Sequence, residues 1–253
     1  MNQDREFDTE SDSRLNSNEY NQNNDKESTK EIEQFCQTKY YATGSILPLG
    51  DGLTGKSVLT RLLLNPDISS TEHAYILYNT KKSLNIELEF SSEKIFVGKD
   101  LVTTSLQFYV FPGQRQKESP NITTFDEILS IFHYFPAMQK ISVLLLVYDT
   151  SRSNTLKSLE MWLKVALARE WIFEKTLIIL ISNKTDLQLP DNNYVWQLLD
   201  GIYGMIKEKG IAIDEFQIRA IPTSCFTMEG VQLLKETITD WVGRNGLRSK
   251  GTR

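Results

Sequence analysis

Two stretches of the chain, Ile141–Tyr148 and Thr176–Ile181, are almost unbroken runs of Val, Leu and Ile. A strand with one wet face alternates polar and apolar residues. One that is apolar at every step must be covered on both sides, as in the middle of a parallel sheet packed between helices. Parallel neighbours need a long crossover, and Ser153–Ala168 supplies one, with Leu156, Leu159, Leu163 and Ala166 at helical steps. An α/β architecture follows from these three segments alone.

The rest of the chain extends the same alternation. Ser45–Leu49 reads as a short strand and Lys56–Leu64 as the helix after it. Ser83–Phe90 alternates Leu84, Ile86, Leu88 and Phe90, and Val102–Phe111 is a second extended run, which predicts a hairpin turning at Gly98. Asp191 is a candidate N-cap for a helix that uses Trp196, Leu199, Ile202 and Ile206 and stops near Gly210. Phe216–Ile221 gives a last strand, and Gly230–Val242 a closing helix with Leu233, Ile238, Trp241 and Val242 toward the sheet.

Charge separates the leader from the rest. The 253 residues carry a formal net charge of −5, but residues 1–35 hold ten acids and four bases, a net −6, leaving +1 for the remainder. The leader is rich in Asn, Asp, Glu and Ser and is expected to be disordered, since it has too little apolar surface to offset the entropy of ordering. Residues 36–243 form the expected folded domain and residues 244–253 a short basic tail. No clustered basic face points to nucleic acid. The apolar runs are far shorter than the roughly 20 residues a bilayer span needs, and no transmembrane segment is expected. Cys36 and Cys225 make no disulfide framework, and a cytoplasmic setting is the default.

Between the first strand and its helix stands Gly50-Asp51-Gly52-Leu53-Thr54-Gly55-Lys56-Ser57, which matches G-x-x-x-x-G-K-[ST] in the context that motif demands. Glycines let backbone N–H groups curl inward into an anion nest. Lys56 would reach the β- and γ-phosphates, the helix N-terminus adds partial positive charge, and the Ser57 hydroxyl would bind Mg²⁺. Directly after the strand Thr176–Ile181 comes Ser182-Asn183-Lys184-Thr185-Asp186. The Asp186 carboxylate can accept from guanine N1–H and the 2-amino group, a donor pair that adenine lacks. Lys184 can lay its stem over the base, and Asn183 can tie this loop to the phosphate loop.

Together with Val147-Tyr148-Asp149-Thr150 and the late Thr223-Ser224-Cys225, these motifs fall in the order found in Ras-like small GTPases of the P-loop class, which the chain resembles from about Ser45 to Val242. The resemblance implies a three-layer G domain with a mostly parallel six-stranded sheet flanked by helices. It implies GTP or GDP as ligand with Mg²⁺, and protein effectors, an exchange factor and an activating protein as partners. It also implies backbone N–H contacts from Ser224-Cys225 to guanine O6, an unobstructed approach to the γ-phosphate at Gly52, and a γ-phosphate-sensing Gly113 with a water-orienting Gln114 in Phe111-Pro112-Gly113-Gln114. That tetrapeptide is reminiscent of one branch of the Rag GTPases and hints at a heterodimer.

Where the family carries the Asp of D-x-x-G, this chain has Val110. Two expectations therefore stand side by side: a slow GTP-hydrolysing switch, or a guanine-nucleotide-bound interaction module with little turnover. An ATP-using P-loop enzyme is the third, disfavoured by Asp186. The first switch is expected between Leu64 and Ser83, with Thr80 as its metal-binding threonine and Thr71 as competitor. His73 and His133 receive no role, and Trp162 is read as core or partner-facing. The tail bases Arg244, Arg248, Lys250 and Arg253 could touch anionic lipid weakly, a frayed tail being the blander account.

Overall fold

The computed structural model describes residues 40–65, 67–80, 87–111 and 140–250, with the backbone alone for 247–250. In chain order its strands are β1 (Tyr40–Leu49), β2 (Glu87–Val97), β3 (Asp100–Val110), β4 (Val143–Asp149), β5 (Leu177–Asn183), β6 (Ile218–Thr223) and β7 (Leu247–Lys250). The helices are α1 (Lys56–Leu64), α2 (Ser70–Asn79), α3 (Ser153–Lys157), α4 (Leu159–Ala168), α5 (Asn192–Glu208) and α6 (Val231–Asn245). The main path of the sheet runs β2-β3-β1-β4-β5-β6. Strands β3, β1, β4, β5 and β6 are mutually parallel, and β2 closes one edge antiparallel to β3 through the turn at Gly98.

The apolar runs that looked covered on both faces are so. Every residue of β4 and β5 is buried. Leu144, Leu146, Ile178 and Leu180 join α4 and α5 in one apolar cluster, while Leu145, Val147, Ile179 and Ile181 join α1 and α6 in the other. The period of two along a strand sends successive side chains to opposite helix layers. A mostly parallel α/β sheet flanked by helices is thus the architecture.

Several boundaries and faces differ from expectation. β1 begins at Tyr40 rather than Ser45, because Tyr40–Ile46 pairs with β3 while only Ile46–Leu49 reaches β4. The side of β1 left open below Ile46 is taken by β7, antiparallel over Tyr40–Thr43. Within the tail expected to fray, Leu247–Lys250 is therefore a strand, and Arg244, in the last turn of α6, is ion-paired to Asp240 at 2.7 Å. The crossover divides at Ser158 into α3 and α4, with the Ser158 hydroxyl bonded to the Thr155 carbonyl.

Asp191 caps α5 as expected, accepting from the amides of Asn193 and Tyr194. The buried face of α5, however, is Val195, Leu199, Ile202 and Ile206, with Trp196 66% exposed. In α6 the inward positions are Val231, Leu234, Ile238 and Val242 rather than Leu233. Both shifts have one cause: sheet contact selected the i, i+3, i+4, i+7 stripe, and a large apolar residue one step off it was left facing water.

Helix α2 occupies part of the segment expected as an open switch loop. Ser69 and Glu72 form a reciprocal capping box at its start, yet none of its residues is buried.

Candidate functional site

All the motif loops emerge at the carboxyl ends of adjacent parallel strands: residues 50–55 after β1, 150–152 after β4, 184–186 after β5 and 224–225 after β6. In open α/β sheets this crevice is where ligands bind.

The phosphate loop is shaped by backbone conformations that need glycine. Gly50 has φ +146°, and a Cβ there would collide with the Val147 carbonyl. Gly55 has φ +95°, and a Cβ would collide with the Asn183 side-chain amide. Leu53 carries φ +65° without that freedom, in the left-handed region that L residues adopt at some cost. The Lys56 ammonium curls over the loop, donating to the carbonyls of Gly50 at 2.8 Å and Asp51 at 2.6 Å. Burial pulls Lys56 down to about 7, against the raising influence of Asp51 and with a smaller lowering from Arg152. A polyanion in the loop would reverse that balance by stabilising the ammonium.

Three side chains from other elements tie this loop. Asn183 donates to the Thr54 carbonyl at 2.7 Å. Arg152 donates through Nη2 to the Gly52 carbonyl at 3.1 Å, and Trp162 through Nε1 to the Asp51 carboxylate at 3.0 Å. Thr54 adds a local bond to the Asp51 carbonyl. The Asn183 link matches the sequence expectation. The bonds from Arg152 and Trp162 have no signal in the sequence motifs; Trp162, 2% exposed, is the core residue it is read to be, and its polar end serves the loop.

Behind the loop lies a buried carboxylate. Asp149, 1% exposed, takes Lys184 Nζ at 2.7 Å and Arg152 Nε at 2.8 Å on the same oxygen, and the Ser151 amide and hydroxyl on the other. Burial alone would raise this carboxyl, but the hydrogen bonds from Lys184, Ser151 and Arg152 outweigh it and hold the group below the ordinary Asp value.

The base-reading segment is equally fixed. Asp186 is exposed, and its Oδ1 accepts from the Ser224 hydroxyl at 2.5 Å. That hydroxyl oxygen in turn accepts from the amides of Phe226 and Thr227. The Ser224 amide donates to the Glu229 carbonyl, so Ser224 positions Asp186 rather than offering an N–H to a ligand. Cys225 is buried, its thiol pushed up to about 12 by burial, which makes it a packing group and no nucleophile. The Cys225 carbonyl meets His73 Nε2 of α2 at 2.8 Å; the histidine given no role in sequence is what joins α2 to this loop.

Among the described residues no hydrogen bond joins the expected metal-side residues Ser57 and Thr80. Among the described residues no hydrogen bond engages the Ser57 hydroxyl, which opens the first turn of α1. Thr80 instead donates to the Ile76 carbonyl at 2.6 Å and accepts from Arg61 at 3.1 Å. Val110, 1% exposed, packs in the apolar cluster under α1 and α6 and can supply no ligand. Thr71 is exposed in the first turn of α2. Gly113, Gln114 and His133 lie outside the described residues, as do residues 1–35, Cys36 and Arg253.

No group of three or more His, Cys, Asp or Glu side chains suited to a metal occurs among the described residues. The donor set fits Mg²⁺ only as an ion that takes one hydroxyl here and its other ligands from phosphate and water, a mode usual for that ion. A cavity of about 560 Å³ between β2 and α6, lined in part by Glu93, Lys94, Lys235 and Thr239, shares no residue with these loops. Among the described residues no helix is long and apolar enough to cross a membrane. Comparison with family models finds no match, and no curated protein matches the chain.

Proposed function

We propose that the protein is a guanine-nucleotide-binding molecular switch built on a Ras-like G domain, taking GDP or GTP in the crevice formed by the phosphate loop and the Asp186 loop. The observation that carries this reading is the meeting of two motifs about 130 residues apart: Asn183 bonded to Thr54 of the phosphate loop, with Asp186 held by Ser224 on the same side of the sheet. A phosphate-loop motif and an exposed carboxylate at the carboxyl ends of neighbouring parallel strands support the donor and acceptor arrangement that a guanosine di- or triphosphate requires.

In this reading Lys56 and the loop amides grip the β- and γ-phosphates, Ser57 holds Mg²⁺ against them, and Asp186 reads the base while Lys184 lies along it. The metal would supply charge neutralisation of the phosphates. Gln114 would orient the attacking water and Gly113 sense the γ-phosphate. The nucleotide state would reorder the segment from α2 to Thr80, exposing or hiding a surface for protein partners. The Thr80 hydroxyl, now tied to Ile76 and Arg61, would have to leave both to join a metal.

Val110 favours a second reading, in which the domain holds guanine nucleotide with little turnover and serves as an interaction module. A buried valine in an apolar cluster leaves the metal's outer sphere short of a carboxylate. Single-turnover GTP hydrolysis with Mg²⁺, run beside Gln114→Leu and Val110→Asp, separates the two. A slow native rate that falls with Gln114→Leu supports the switch. No native turnover, with a rate appearing only in Val110→Asp, supports the module. Calorimetric titration tests what the two share: GDP binds one to one, and ADP at least about a hundredfold more weakly, the scale on which a site built for specific donors rejects an analogue lacking them.

A further inference from the structure

We propose that Asp149 is the shared anchor of the two ligand-gripping loops and that Arg152 is a positioning residue that sets the phosphate loop from it. For the identity of the base, though not for the phosphates, this rests on the guanine-nucleotide reading above.

The geometry is a chain of four groups. Lys184 Nζ and Arg152 Nε both end on Asp149 Oδ2, at 2.7 and 2.8 Å, and Arg152 Nη2 continues to the Gly52 carbonyl at 3.1 Å. One carboxylate, 1% exposed at the end of β4, thereby fixes the residue meant to lie along the base and, through a guanidinium, the middle of the loop meant to wrap the phosphates. The carboxylate cannot yield easily. Its other oxygen is held by the Ser151 amide and hydroxyl, and the Asp149 amide is bonded to the Thr155 hydroxyl.

Arginine suits the task in a way lysine does not. Its rigid fork spans two acceptors in different directions, Asp149 and Gly52, where an ammonium acts as a single point charge. Gly52 has no side chain of its own to hold the loop, so this span, with the Trp162 bond to Asp51, fixes the part of the loop between Gly50 and Thr54.

The anchor model makes the two arms separable. Losing Arg152 releases the phosphate loop at Gly52, with the Asn183 and Trp162 ties still in place, and leaves Lys184 on Asp149. Losing Asp149 releases both. Dissociation constants of GDP, GMP, IDP, ADP and AMP for the full chain measure each arm: the GDP-to-GMP ratio reports the β-phosphate grip, and the GDP-to-IDP ratio reports the 2-amino contact on the base side.

In Arg152→Ala the β-phosphate ratio should fall on the order of tenfold, the scale of one charge-assisted hydrogen bond, with the base ratio within about twofold of native. Arg152→Lys should not restore it. Asp149→Asn should lower both ratios, and adding Arg152→Ala to it should change the β-phosphate ratio no further. If Asp149→Asn does not fold, the Arg152 arms decide alone.

An unchanged β-phosphate ratio in Arg152→Ala overturns the proposal, as does an equal fall in both ratios. Full recovery by Arg152→Lys would overturn it too, because bulk charge would then explain the effect. A native protein that does not distinguish GDP from ADP would remove the guanine reading while leaving the clasp testable through the ADP-to-AMP ratio. Binding of no nucleotide at all would remove both.

Discussion

β4 and β5 are buried at every position, whereas β2 is buried at none. The same contrast runs through the helices: α4 buries six of its ten residues and α2 none. The loops that would grip a ligand follow the core strands β1, β4 and β5 and their neighbour β6, whereas the segment expected to respond to that ligand, α2, lies outside the sheet, resting on the α1 side through Ile76 and Leu77 and on the Cys225 carbonyl through His73. Where both faces are covered, a charged network such as Asp149 with Arg152 and Lys184 can be held in one geometry. Helix α2 has no such cover and is held by a few hydrogen bonds and two partly buried apolar side chains, which is the low-stability end from which moving elements are drawn.

The contrast can be broken most forcefully in the core. Leu146→Ala, in β4, should destabilise the domain by about 2–5 kcal/mol, while Phe90→Ala, 59% exposed on β2, should stay within about 0.5 kcal/mol; urea unfolding of both variants measures the difference. Comparable losses would mean that β2 is covered by something its exposure does not reveal.

Next in size is the chemistry of the ligand-gripping loops. Lys56→Ala should weaken GDP by roughly ten- to a hundredfold, the loss of charge-assisted hydrogen bonds to phosphate, read by calorimetry. Asp186→Asn should turn the preference from guanine toward xanthine nucleotides, because the acceptor at that position becomes partly a donor. A variant that still prefers GDP to XDP would remove Asp186 from base reading.

Acid should act on the same network. The folded carboxyl of Asp149 lies below its unfolded value, so the folded state binds the proton less readily. Its contribution to stability is complete above the unfolded value of about 3.9 and is lost as pH falls through the lower folded value. Denaturant midpoints measured from pH 6 downward should therefore drop less steeply in Asp149→Asn than in the native chain over that acid window.

The smallest effect belongs to α2. His73→Ala removes the bond from α2 to the Cys225 carbonyl and should cost about 0.5–1.5 kcal/mol. Faster amide exchange in Ser70–Asn79 with little change in β4 or β5 would mark α2 as an independently opening unit.

The same division governs what could be read from sequence. The β4 and β5 runs, the Asp191 cap and the phosphate-loop helix were legible because each depends on local pattern or on burial of both faces. The edge was not: Leu88 and Phe90 suggest an inward face by alternation, yet stand 48% and 59% exposed on β2. The strand β7 was invisible because its partner Tyr40–Thr43 lies two hundred residues away and its residues carry charge. α2 does carry a local signal, the Ser69-x-x-Glu72 capping box, but its weak apolar stripe, with no residue buried, gives no helical period to set against the expected switch loop.

In the site, the motif glycines, Lys56 and Asn183 could be named from spacing. Arg152 and Trp162 reach the loop across one hundred and more positions. A buried strand ending in Asp with Arg three residues on is the only local cue, and it gives no hint of Gly52. Thr80 and Val110 were placed by analogy of position, which says nothing about a hydroxyl tied to Ile76 or a valine sealed in a core.

The most direct measurement of the central claim is the identity of the nucleotide that the full chain retains on purification, by chromatography after denaturation, together with its competition against ADP. The account predicts guanine nucleotide near one per chain, displaced by GDP and not by ADP at a hundredfold excess. Retained adenine nucleotide, or equal displacement by ADP, would contradict it.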